Sequence, residues 1–136
     1  MTRTIFALAV IAPALVAPAF AHHSFAIFDQ TKVLHLSGTV KEYELVNPHA
    51  WLHLTIVGAD GKAATWSFEA GSVAQLAALG WKADSFRVGD KVEVGFRPMR
   101  DGSRGGQFMS AKLPSGQMLC SNRGCGDGSG KVLAPF

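Results

Sequence analysis

Between Val33 and Val57 the chain reads VLHLSGTVKEYELVNPHAWLHLTIV, and apolar and polar residues alternate through most of it. A period of two is the mark of a strand with one face in a core. Leu34, Leu36, Gly38 and Val40 keep one phase, after which the apolar positions move to Tyr43 and Leu45. That shift requires one extra residue around Lys41-Glu42, as a β-bulge supplies. Asn47-Pro48 reads as a tight connection, because Asn favours turns and Pro fixes φ. In the strand that follows, Ala50, Leu52, Leu54 and Ile56 alternate with His49, Trp51, His53 and Thr55. The aliphatic set is the natural core face, so His49, Trp51 and His53 fall in a row on the other. Side chains two apart on a strand are roughly 6.5–7 Å apart, a spacing at which imidazoles can share an ion.

Downstream, Gly58-Ala59-Asp60-Gly61 is a hairpin turn signal, and Ala63 to Glu69 alternates as a third strand. It sends Trp66 and Phe68 to one side and Thr65, Ser67 and Glu69 to the other. Ser72 and Gln75 form a capping box, Val73, Leu76 and Leu79 an apolar stripe, and Gly80 sits where a helix-ending glycine belongs. A short helix is predicted, with Trp81 folding back on Leu76. Val92, Val94 and Phe96 mark a fourth strand, which Pro98 ends because it cannot donate to a ladder. A polar, glycine-rich loop from Met99 to Gly106 leads to a fifth strand over 107–113. A short sixth covers 117–121. Three strands, a short helix and two more strands is the order of the OB-like five-stranded Greek-key barrel, so an all-β fold with one helix is expected. His35, on the polar phase of the first strand, reads as structural. Trp66, Phe68 and Trp81 read as core, and Asp84, Asp90 and Asp101 as turn residues.

The first 21 residues stand outside this pattern. A basic Arg3, an apolar run from Ile5 to Val16 and a small-x-small Ala19-Phe20-Ala21 make a signal peptide. Its short length and two prolines argue against a membrane span. Cleavage after Ala21 leaves one domain over residues 22–121 and a Gly-rich, partly disordered tail over 122–136, in the periplasm or secreted. In the lead-in HHSFAIFDQ, Phe25, Ile27 and Phe28 are candidate anchors that pack the new terminus on the body.

Thirteen basic against ten acidic residues give a net charge of +3, of which Arg3 supplies one. No basic run is interleaved with aromatics, so nucleic acid is not an expected partner. The two cysteines, Cys120 and Cys125, lie in the glycine-rich tail of a chain bound for an oxidising compartment, where a disulfide is the expected state.

Candidate chemistry rests on histidine. Cleavage would make His22 the N-terminus, offering its amine and Nδ1 as a chelating pair beside the His23 imidazole. With His49 and His53 these form the expected metal set. Imidazole nitrogen suits copper, zinc and nickel, with copper(II) the strongest binder, and Trp51 could stack on a bound cation. The structural alternative is surface histidines with ordinary partners. Met99, Met109 and Met118 lie on later strands or loops, none of them beside Trp51, which argues against a soft copper(I) site. Catalysis has little support. No G-x-S-x-G, no cysteine partnered by histidine and no carboxylate pair at a telling spacing is present.

The segments AHHSFAIFD, LSGTVKEYELVNPHAWLHL, TWSFEAGS and VGDKVEVGFRPMRDG resemble a family of small exported bacterial proteins carrying a domain of unknown function. The resemblance implies export and one small β domain; it assigns no activity and does not extend to the cysteine-bearing tail. The expectation is thus an exported, non-enzymatic binding module. Its ligand is a transition metal, copper first, or, with no metal, a small molecule or envelope protein.

Overall fold

The computed structural model describes residues 25–121 and 131–132. A 3₁₀ turn over Phe25–Ile27 leads into β1 (Leu34–Glu44), β2 (Trp51–Val57) and β3 (Ala63–Glu69). The helix α1 (Val73–Ala78) follows, then β4 (Lys91–Pro98), β5 (Gly105–Lys112), β6 (Met118–Cys120) and β7 (Lys131–Val132). β1 pairs antiparallel with β2 and with β4, β2 with β3, and β4 with β5. A parallel β3–β5 pairing closes the ring. This is the expected OB-like barrel. β6 lies outside the ring on β5, and within the tail β7 adds two residues beside Leu34 and His35.

Two glycines let β5 lie close to its neighbours, Gly105 against β3 across the closing seam and Gly106 against β4. Ser67 pairs with Gly105, Phe68 with Gly106 and Glu69 with Gln107. A Cβ on Gly105 would lie 2.1 Å from the Ser67 carbonyl oxygen, and one on Gly106 would lie 2.1 Å from that of Arg97. Neither position tolerates a side chain while the strands stay this close. β5 therefore starts two residues earlier than its side-chain pattern predicts, because these glycines carry backbone pairing and no side-chain signal.

The first strand changes phase as expected: Val40 pairs with Leu54 but Glu42 with His53, so Lys41 is the extra residue. Val40 stays in the core, and past the bulge Tyr43 turns inward against Phe86, ring centroids 5.1 Å apart. Phe68, Phe96 and Phe108 are fully buried at the centre. The helix has both halves of its capping box, Ser72 with Gln75. It ends with Gly80 at φ 89° and with Trp81 N–H donating to the Leu76 carbonyl, the bonds of a Schellman ending. Leu76 and Trp81 close one end of the barrel. His35 is buried, with Nδ1 3.2 Å from Glu93. Asp90 and Asp101 accept backbone N–H bonds from Arg87 and Ser103.

Gly105→Ala is expected to cost about 1–3 kcal/mol, the usual cost of forcing atoms into a filled space. Thermal unfolding reads it as a lower Tm, and an unchanged Tm would show that closure does not need the bare backbone. A second expectation concerns Tyr43, the chain's single tyrosine. Burial pushes its phenol up to about 12 from 10.0. Because the folded value is raised, the neutral ring's contribution to stability is intact below pH 10 and is lost as pH rises towards 12. Phenolate absorbance should therefore appear near pH 12; titration of the folded protein at pH 10 would show an exposed ring.

Candidate functional site

The row predicted on the second strand is real, and its neighbours come from both flanking strands. Leu52, Leu54 and Ile56 face the core, leaving Trp51 and His53 on the outer wall. Ala50, just ahead of the strand, is already buried and bonded to the Ala70–Gly71 backbone, which carries the alternation back to His49. Trp51 pairs with Glu44 on β1 and with Glu69 on β3, and His53 pairs with Glu42 and Ser67. The bulge decides the β1 side. Without the extra residue, Tyr43 rather than Glu44 would stand beside Trp51.

Each histidine has a carboxylate partner. His49 Nδ1 meets Glu69 Oε1 in a close ion pair in which both side chains are largely covered. A carboxylate only accepts, so Nδ1 carries the proton of this contact. His53 Nε2 is 3.3 Å from Glu44 Oε2 and its Nδ1 is 2.8 Å from Ser67 Oγ. The same rule makes Nε2 the donor to Glu44, with the Ser67 hydroxyl donating to Nδ1. Its ring lies parallel to the Trp51 indole, centroids 6.1 Å apart at 6°. His53 thus braces Trp51 against turning. His49 and His53 are two steps apart on this face, ~13 Å along an extended strand, with Trp51 between them.

Two cavities open on this wall. The larger, about 430 Å³, is lined by His49, Glu69, Gln75, Gln107, Phe28 and Phe108, among others. The smaller, about 190 Å³, is lined by Trp51, Ser67, Glu69, Met99, Arg104 and Phe28, among others. Phe28 and Glu69 border both. Phe28 is buried and bridges to Met99, so this predicted lead-in anchor docks. Ile27 is half exposed instead. Ahead of the first strand, Asp29 N–H donates to the Pro98 carbonyl and Arg100 N–H to that of Ile27. The bonds from Thr31 hold the Asp29 carboxyl down at about 2.

This lead-in corrects one expectation. Met99, far from Trp51 in sequence, lines the same cavity as Trp51, because the Phe28 bridge and the closing glycines hold the β4–β5 loop against β3. Glu44, Ser67 and Glu69 were also missed. Their outward phase was visible, but the register that sets them beside particular histidines was not.

Among the described residues, no group of three His, Cys, Asp or Glu side chains converges on one point. No helix among them is long and apolar enough to cross a membrane. His22, His23 and Cys125 lie outside the described residues. Cys120 is disulfide-bonded, and its carbonyl accepts the Trp81 indole N–H at 2.9 Å.

Neither the curated proteins nor the solved structures yield a match to this chain. A family profile matches residues 10–109. That span holds the lead-in, the histidine row, Glu69 and Met99, and it stops short of Cys120. The chain belongs to DUF6152, a family of unknown function.

Proposed function

We propose that this protein is an exported, non-enzymatic binding module that holds a transition metal ion, copper(II) first, at His49. The observation that carries the reading is that Phe28 lines the same cavity as His49 and Glu69. Phe28 follows His23 by five residues, a reach of at most about 18 Å for extended chain. That reach is long enough for the amine and imidazoles of His22 and His23 to serve as partners for His49 in the proposed site.

The chemistry of the donors fits. Glu69 orients the His49 ring through Nδ1 and raises its basicity, as carboxylates behind metal-bound histidines do. An amine and further imidazoles supply the nitrogen set in which copper(II) outcompetes other common divalent ions. His53, tied to Ser67 and Glu44, supports Trp51 rather than the ion. Metal-free binding of a small molecule or an envelope protein is the second reading. It is favoured by the position of both cavities on the β2–β3 wall beside the β1–β2 and β4–β5 loops, where barrels of this order take their ligands.

The test uses the exported protein with its first residue verified by intact mass. Calorimetry should find about one copper(II) per chain. His49→Ala, or one added residue ahead of His22, should abolish tight binding, and Glu69→Gln should weaken it by ~10-fold or more. Millimolar affinity unmoved by these changes removes the metal reading. A defined partner recovered from envelope extract in chelator would then favour the second one.

A further inference from the structure

We infer that the smaller cavity is a site for a small aromatic carboxylate, with Trp51 against its ring and Arg104 on its charge. The inference needs no metal at His49, and it gives the metal-free reading above a ligand class.

Size and walls set the ring. An apolar cavity of about 150 Å³ is enough to take up benzene. The cavity here, about 190 Å³, therefore holds one substituted six-membered ring. Ile27, Phe28, Trp51 and Met99 make its apolar walls. A sugar ring of that size would bring hydroxyls on every side, and those facing the apolar groups would lose water without gaining a partner. An aromatic ring gives up no hydrogen bond there and can stack on the indole or meet it edge to face. Trp51 is held ready for that contact by the parallel His53 ring, itself tied at both nitrogens.

The polar groups set the charge. Glu69, the carboxylate of the lining, is engaged by His49 in a close ion pair. The Ser103 hydroxyl donates to Asp101, and the Ser67 hydroxyl to His53 Nδ1, so both protons are committed. What remains are donors. Among the described residues, neither the Arg104 guanidinium nor the Trp51 indole N–H has an acceptor, whereas the nearby Arg97 and Arg100 are bonded to Gln30 and to the Ala26 carbonyl. Arg104 lines the cavity while staying exposed, and its carbonyl is anchored by the Ser67 N–H. A carboxylate only accepts, and its two oxygens match the fork of a guanidinium. A cation would meet the same arginine as a repulsion.

Benzoate is the probe, titrated into the purified chain with chelator present so that no metal contributes. Calorimetry should show saturable binding. Arg104→Gln, at an exposed side chain, should weaken it about 10-fold or more, as loss of a hydrogen bond to a charged group does. Arg104→Lys keeps the charge without the fork and should recover only part of that loss. Trp51→Leu should weaken binding as well, and Arg87→Gln, at an exposed arginine outside the cavity, should change nothing. Acetate has the charge without the ring and benzyl alcohol the ring without the charge, so each should bind at least ~10-fold more weakly than benzoate. Benzoate that does not saturate, affinity unmoved in Arg104→Gln, an equal loss in Arg87→Gln, or acetate or benzyl alcohol binding as tightly as benzoate would each overturn the site. If Trp51→Leu does not fold, the Arg104 variants decide. Because chelator is present throughout, failure of the copper(II) reading leaves these results standing, and failure of this site leaves the copper(II) titration untouched.

Discussion

The close approach of β3 and β5 at Gly105 is the constraint on which the rest of the structure depends. Parallel pairing over three residues turns an open sheet into a barrel, and it is possible because Gly105 carries no Cβ into the Ser67 carbonyl, while Gly106 lets β5 lie equally close to Arg97 on β4. Closure seals Phe68, Phe96 and Phe108 into one core. It also has a consequence on the outside. Glu69 is set opposite Gln107, and the loop before β5 is drawn against the end of β3. Both cavities border Glu69, and both exist because this seam is shut.

A second constraint acts through phase. One extra residue in β1 reverses which side chains face out, and the reversal serves core and site together. Tyr43 goes in, to pack on Phe86 and Trp81, and Glu44 goes out, to the Nε2 of His53. The same wall therefore alternates imidazole, indole and imidazole along β2 with carboxylates on both flanks. Its histidines each lean on an acidic group, His49 on Glu69 and His53 on Glu44.

Glu69 is engaged by His49 and Glu44 by His53, and Ser67 Oγ lies 2.8 Å from His53 Nδ1. Two cavities border this wall, and Glu69 and Phe28 line both of them.

Local pattern was enough to determine the strands, the bulge, the capped helix and the barrel order, because each of these is written in side-chain alternation or in turn and cap residues a few positions apart. It was also enough to place His49, Trp51 and His53 on one face, since that follows from a period of two. Which groups stand beside them was not local. Glu44 and Ser67 take their places from strand register, and Glu69 and Met99 from a barrel closure made by glycines that have no side chain to alternate. Register and closure are set by the packing of the whole core. The tertiary structure alone therefore decided that Met99, after β4, lines one cavity with the tryptophan of β2.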